Sequence, residues 1–384
     1  MRDLEDTRCG RLGAASSTYA ARDATCPRSA GYPYPERNDT ERQPHEQASS
    51  WLEAPIEARL SRTPLEVELS ASVPHTPERR VAANGIDICY DTFGDPAAPP
   101  LLLIMGLGCQ MVQWDDDFCA TLASRGFHVI RFDNRDVGRS TWLDAAGVPD
   151  ILGFLLGQRQ TWGNTPYLLR DMAQDAVGLL EAHGISRAHI VGASMGGAIA
   201  QEIAFGHPDR VLTLTCIMAS SGEPGAPPTP DAMEVLTRRL PEDTLQAYAE
   251  SFARTWKVLR VGSFPEDDAK DAERARLTWQ RGLNAAGRAR QLAAIFASGS
   301  RREGLGRLRA PALVIHGRLD PLVPVDHGIM LASLIRGARL HIVEEMGHAL
   351  PIRLWPQIVE LIAGHAGGTK SRRPGGLMEA GLSL

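Results

Sequence analysis

The chain is poor in cysteine: six in 384 residues, at Cys9, Cys26, Cys89, Cys109, Cys119 and Cys216, with no C-x-x-C pair and no metal-ligand spacing. That leaves no basis for a disulfide framework or a cysteine-based zinc site, and fits free thiols in a reducing compartment. Long hydrophobic runs are also missing. No segment reaches the roughly 18 consecutive apolar residues of a membrane span. The first thirty residues carry charges throughout with no apolar stretch behind them, unlike a secretory signal. The expected location is therefore cytoplasmic. Neither sign of charge dominates, with 41 Lys and Arg against 46 Asp and Glu and a net charge of -5. Without a basic face there is no footprint for nucleic acid. What remains is ordinary for a soluble globular chain, 43% hydrophobic and 23% charged. The length exceeds a typical domain, but α/β folds often run long as one unit.

Residues 1–76 differ from the rest. They are rich in Arg, Glu, Pro and Ser, as in Tyr32-Pro33-Tyr34-Pro35-Glu36-Arg37, and show little hydrophobic periodicity. Such a segment cannot bury enough apolar surface to offset its ordering entropy, so a disordered extension is expected, with a short helix at 51–60. Residues 368–384 read as a flexible tail. From Val81 onward strands alternate with helices. Val81–Ala83 and Ile86–Phe93 flank Asn84-Gly85, a strong hairpin pair. The apolar run Leu101–Met105 suits a buried parallel strand, and His128–Phe132, His189–Val191, Val211–Ile217, Ala312–Ile315 and Leu340–Val343 continue the series. Helices are expected at Gln113–Arg125, at Leu168–His183 closed by Gly184, and at Met195–Phe205. This alternation implies a mostly parallel sheet with helices on both faces, built from residues 77–219 and 304–367. Residues 220–303 break the rhythm. They open with Gly222-Glu223-Pro224-Gly225-Ala226-Pro227-Pro228 and then become charged and helical, which reads as an inserted cap over the carboxyl edge of the sheet.

Chemistry is concentrated in three places. Gly192-Ala193-Ser194-Met195-Gly196 matches G-x-S-x-G, with an apolar strand before it and a helix after. A serine there must turn sharply from strand to helix, and side chains at Gly192 and Gly196 would collide with neighbouring elements. The plain alternative is an incidental glycine-rich turn. A serine hydroxyl is a poor nucleophile unless a base takes its proton. His316-Gly317-Arg318-Leu319-Asp320-Pro321 places Asp320 after a strand, although Asp before Pro also starts turns. Met346-Gly347-His348-Ala349 places His348 after the last strand. The order Ser194, Asp320, His348 is the one this kind of fold uses. Glu344 and Glu345 sit too near His348 in sequence to be the acid, and His316 reads as structural. Two amides should face the oxyanion: that of Met195, and that of Leu107 in Met105-Gly106-Leu107-Gly108.

Together with Arg131-Phe132-Asp133-Asn134-Arg135-Asp136-Val137-Gly138-Arg139-Ser140, these segments are similar to the α/β-hydrolase superfamily. Within it they resemble the helical-cap serine hydrolases that include aclacinomycin-type methylesterases. The resemblance covers residues 80–365. Many relatives have His-Gly where this chain has Met105-Gly106, which keeps the backbone donor but alters the polarity of the pocket. The resemblance implies a carboxylic ester hydrolase working through an acyl-enzyme, with Asp320 as acid, His348 as base and no metal or organic cofactor. The Asp133–Ser140 loop is expected to scaffold the mouth of the site. Dehalogenases and epoxide hydrolases carry aspartate at the elbow, which Ser194 argues against. Perhydrolases, acyltransferases, lyases and C–C bond hydrolases share the triad and stay open. So does a non-catalytic binding protein on this fold. The substrate expected is a small ester, with an apolar pocket drawn from Met105, Leu107, Met111, Trp114, Phe154, Leu155 and Trp162. Residues of each of these kinds are more often simple core. The oligomeric state is left open, and the N-terminal extension is a candidate for docking a partner.

Overall fold

The computed structural model describes residues 73–156 (backbone only for Phe154 and Leu155), 165–241, 243–262 and 264–367. The expectations for residues 1–72, the helix at 51–60, the tail at 368–384 and a pocket role for Phe154, Leu155 and Trp162 lie outside what is described. Among the described residues eight strands form one sheet: β1 (His75–Ala83), β2 (Ile86–Phe93), β3 (Pro100–Ile104), β4 (His128–Phe132), β5 (Ala188–Ala193), β6 (Val211–Ile217), β7 (Ala312–Gly317) and β8 (Arg339–Val343). Their order is β1-β2-β4-β3-β5-β6-β7-β8. The pairs β1–β2 and β2–β4 are antiparallel and the others parallel. Asn84 and Gly85, both at positive φ, make the β1–β2 turn. β1 starts ahead of the expected boundary at 77 because His75 finds partners: its ring stacks on Phe93 at 4.0 Å and its Nε2 lies 3.0 Å from Asp91.

The central strands β3, β5, β6 and β7 are largely apolar because both faces are covered, whereas β1 and β8 at the edges carry exposed polar residues. Leu101 and Leu103 point into one core with α1 (Asp116–Ser124) and α11 (Trp355–Gly367). Leu102 and Ile104 point into the other with α3 (Leu169–Ala182) and α4 (Met195–Gly206). All four leucine and isoleucine side chains are fully buried, each contributing about 2 kcal/mol relative to exposure. The expected helix at 113–125 is shorter at its start, since a 3-10 turn at Met111–Gln113 precedes α1. Met111 and Trp114 belong to the core, with Trp114 stacked on Phe118. β4 and β5 flank β3 on opposite sides, so the loops leaving β3 and β5 part over a crevice at the carboxyl edge.

A short α2 (Ile151–Leu155) follows the β4 loop. Between β6 and β7 come α5 (Pro230–Thr237), α6 (Leu245–Leu259), α7 (Asp268–Arg281), α8 (Ala285–Ser298) and α9 (Arg302–Gly306); α10 (Val325–Leu334) lies between β7 and β8. Among the described residues no strand falls within 220–303. Thr229, Thr244 and Asn284 cap α5, α6 and α8 with side-chain oxygens. The apolar cluster of these inserted helices is small, centred on Tyr248, Phe252 and Ala275. Much of their attachment is ionic. Arg274 pairs with Asp115, Arg281 with Asp133, and Arg290 with Asp136, each arginine reaching from α7 or α8 into the α/β core. No helix among the described residues is long and apolar enough to cross a membrane.

Candidate active site

Ser194 stands between β5 and α4 with φ 54° and ψ -120°, a left-handed conformation that a non-glycine residue adopts at a cost. Its neighbours explain how the turn closes. A Cβ on Gly192 would run into the Gly196 carbonyl, and one on Gly196 into the Ile104 carbonyl of β3. The Ser194 amide donates to the Ile217 carbonyl at 2.9 Å, so β6 clamps the turn. The hydroxyl thus emerges at the carboxyl edge, where α4 begins with unpaired amides.

His348 reaches Ser194 from the loop after β8. Its Nε2 lies 2.9 Å from Ser194 Oγ, and its Nδ1 donates to Asp320 Oδ2 at 2.7 Å. Both side chains are buried. Asp320 divides its two oxygens between two tasks. Oδ1 accepts from the Leu322 and Val323 amides at 2.9 and 2.8 Å, closing a turn in which Pro321 has no N–H to offer. Oδ2 faces His348. Burial alone would raise the pKa of Asp320, but His348 and then His316 outweigh it and hold the carboxyl down at about 2. The group is an anion at neutral pH. It fixes the His348 tautomer with hydrogen on Nδ1, which leaves Nε2 free to accept the serine proton.

His316, read from sequence as structural, sits closer to this chemistry than expected. Its Nε2 donates to the Val323 carbonyl at 2.7 Å and lies 3.5 Å from Asp320 Oδ2. Three further contacts had no sequence signal. The His348 amide donates to the Leu259 carbonyl at the end of α6 at 2.7 Å. Asn134 Nδ2 donates to the Met105 carbonyl at 3.0 Å. Gln291 Oε1 accepts from the Gly108 amide at 2.8 Å. The rival acids point elsewhere: Glu344 pairs with Arg318 and Glu345 with Arg353 at the surface.

The Asp133–Ser140 segment is buried apart from Arg139 and radiates contacts. Asp133 accepts from the Met111 and Arg139 amides at 2.8 and 2.9 Å and meets Arg281. Burial pushes its carboxyl up to about 7, against the pull of those amides and of Arg131. Arg135 binds Asp175 on α3 through two 2.6 Å bonds. Asp136 binds Arg290 at 2.7 and 2.8 Å and accepts from Tyr167 Oη at 2.7 Å. The loop after β3 lies against the serine, since a Cβ on Gly106 would sit 3.2 Å from Ser194 Cβ. The segment that carries Leu107, one expected oxyanion donor, thus runs against the turn that carries Met195, the other. A cavity of about 40 Å³ opens beside these loops, lined by Met105, Met218, Trp256, Arg260, Ala349 and Leu350 among others.

A hydroxyl, an imidazole and a carboxylate in hydrogen-bonded sequence at the carboxyl edge of an α/β sheet are the equipment of a hydrolase. A family model for the alpha/beta hydrolase fold matches residues 99–352, and the chain belongs to that family and is a hydrolase. It is similar to the rhodomycin D methylesterases of Streptomyces sp. (strain C5) and Streptomyces peucetius, each 31% identical over 75% of this chain and 98% of its own. The 2-hydroxymuconate semialdehyde hydrolase of Pseudomonas putida is 31% identical over 55% of this chain and 70% of its own. Among solved structures, a hydrolase from Pseudomonas aeruginosa PA01 matches with a TM-score of 0.55 and 25% identity, covering 76% of this chain and 98% of that one.

Proposed function

We propose that this protein hydrolyses a carboxylic ester of a small, largely apolar molecule, a methyl ester in the first instance, through an acyl-enzyme on Ser194. The observation that carries the reading is the single imidazole of His348 touching both Ser194 and Asp320, at 2.9 and 2.7 Å. His348 Nε2 takes the hydroxyl proton as Ser194 Oγ attacks the carbonyl carbon. The Leu107 and Met195 amides bind the oxyanion that forms. His348 then gives its proton to the departing alkoxide, and the alcohol leaves. Water attacks the acyl-enzyme with His348 again as base, releasing the acid and restoring Ser194. Asp320 stays ionised and stabilises the imidazolium in both steps. The insert at 220–303 serves as the cap that shapes the substrate site, and the family resemblance to methylesterases supports the ester over other acyl substrates.

The test is fluorophosphonate labelling of the wild type beside Ser194→Ala, followed by turnover of methyl esters. Covalent labelling of the wild type alone is the expected result, with Ser194→Ala losing on the order of a thousandfold or more in turnover. Equal labelling of both proteins would sink the assignment. A second reading, cleavage of a C–C bond, is favoured only by the likeness to 2-hydroxymuconate semialdehyde hydrolase. Turnover of a vinylogous 1,5-diketone faster than of any methyl ester would select it.

A further inference from the structure

We infer that Gln291 is a positioning residue for the oxyanion-binding loop, and that α8 sets the geometry of the site through it. The inference rests on the reading of Leu107 as an oxyanion donor. Gln291 is wholly buried. Its Oε1 accepts from the Gly108 amide at 2.8 Å, and its Nε2 donates to the Arg135 carbonyl at 2.8 Å. The two partners fix which way the side-chain amide faces, because an N–H can only donate and a carbonyl can only accept.

The segment it holds is a glycine-rich turn closed by one long backbone bond, the Cys109 amide donating to the Gly106 carbonyl at 3.2 Å. Gly106 and Gly108 bracket Leu107, and Gly108 lies at φ 65°. Beyond that bond, two side-chain anchors set where the Leu107 amide points. At one end the Met105 carbonyl accepts from Asn134 Nδ2 at 3.0 Å. At the other the Gly108 amide binds Gln291, which in turn binds Arg135. Asn134 and Arg135 are consecutive residues, so both ends of Met105–Gly108 are tied to one short stretch of the β4 loop. One tie is direct and the other passes through α8. The register of α8 is itself fixed. Arg290, next to Gln291, grips Asp136 with two bonds at 2.7 and 2.8 Å. Gly287, one turn earlier, packs where a Cβ would strike the Asp136 carbonyl. The Arg288 side chain lies over Gly108, its Cδ 2.9 Å from where a Cβ would be.

An inserted helix thus contributes to the oxyanion site without touching substrate. Loss of its hydrogen bond would leave the Leu107 amide free to swing. A misplacement of about 1 Å can cost on the order of a hundredfold in rate.

The test is Gln291→Met, which keeps the shape and removes both hydrogen bonds, beside Ser298→Ala on the same helix as a stability control. Ser298 Oγ accepts from the Leu169 amide, away from the serine. The readouts are kcat and KM for p-nitrophenyl acetate and the Kd of an alkyl trifluoromethyl ketone, whose serine adduct carries an oxyanion. Gln291→Met should lower kcat by about 10- to 100-fold, shift KM by less than about threefold and weaken the ketone in proportion to kcat. Ser298→Ala should change neither. A folded Gln291→Met with wild-type kcat and ketone affinity overturns the inference. So does a loss confined to KM. If the methionine variant does not fold, Gln291→Glu is read against pH. Its protonated carboxyl can still donate to the Arg135 carbonyl, so its kcat relative to wild type should rise as pH falls; a flat or opposite trend overturns the inference. Failure of the underlying reading would show separately, as wild-type protein that the ketone and the fluorophosphonate both leave unlabelled at Ser194.

Discussion

The sheet and the inserted helices are assembled by different forces. The central strands of the sheet are buried chiefly by apolar packing: Leu101, Leu102, Leu103, Ile104, Ile190 and Val314 are fully enclosed, although Arg131 of β4 and Asp91 of β2 form a buried ion pair. α7 and α8 rely on buried arginines far more heavily. Arg274, Arg281 and Arg290 each meet an aspartate of the core, and Arg260 meets Asp271 at 2.5 Å. Hydrophobic burial is non-directional and forgiving of small shifts. A buried ion pair is directional, costs desolvation, and is severely penalised when one partner is lost. The lesson is that the core supplies stability and the insert is set in place by registration. That division suits a site whose proposed nucleophile, Ser194, stands at the end of β5 and whose supporting contacts, at Gln291 and the Leu259 carbonyl, come from the insert.

The comparison can be broken most forcefully at Arg290. Arg290→Met should destabilise by about 3–5 kcal/mol, because it strands the buried Asp136 carboxylate. Adding Asp136→Asn should recover part of that loss: its single oxygen keeps an acceptor for the Leu143 amide, and its Nδ2 can donate to the Tyr167 oxygen in place of the bond that Tyr167 now donates. Denaturant titration of the single and double variants measures both. Equal stabilities would mean that the pair contributes no registration. Leu122→Ala in α1 tests the other side. It removes a fully buried side chain from the core and should cost about 2–5 kcal/mol. In protein that remains folded, kcat should be unchanged, since α1 holds none of the supporting contacts. A kcat loss as large as that of Gln291→Met would erase the division between the two regions.

The same division explains what could be read from sequence. Apolar runs and glycine–serine punctuation report burial and tight turns directly, so β3 to β8, the elbow at Ser194 and the order of Asp320 and His348 were legible. Residues that act through one long-range polar contact leave no such trace. Gln291 sits in Arg288-Ala289-Arg290-Gln291-Leu292, which looks like an exposed helical face, yet Arg290 and Gln291 are wholly buried. Periodicity assigns arginine and glutamine to solvent and cannot foresee that Asp136 and the Gly108 amide wait opposite. His316 reads as structural from sequence, because only the folded turn brings Asp320 back beside it.

The smallest effects concern two buried aspartates with opposite surroundings, and they sharpen the comparison by sign. Asp320, in the site, is held at about 2 because His348 and His316 overcome its burial. In the unfolded chain it returns to about 4. The unfolded state therefore takes up the proton first as pH falls. The stabilisation by ionised Asp320, roughly 2 kcal/mol, is complete above pH about 4 and is lost as pH drops towards about 2. Asp133, beneath the insert, behaves the other way. Burial raises it to about 7 although the Arg139 and Met111 amides and then Arg131 oppose that shift. Here the folded state keeps the proton longer, so stability declines as pH rises from about 4 to about 7. Denaturant titrations across pH 2 to 8 should show Asp320→Asn flattening the acid limb and Asp133→Asn flattening the limb approaching neutrality. If Asp133→Asn instead left that second limb unchanged, the carboxyl would be ionised in both states throughout it, and its meeting with Arg281 would be an attraction strong enough to offset burial. The insert would then be held to the core by net electrostatic stabilisation as well as by registration.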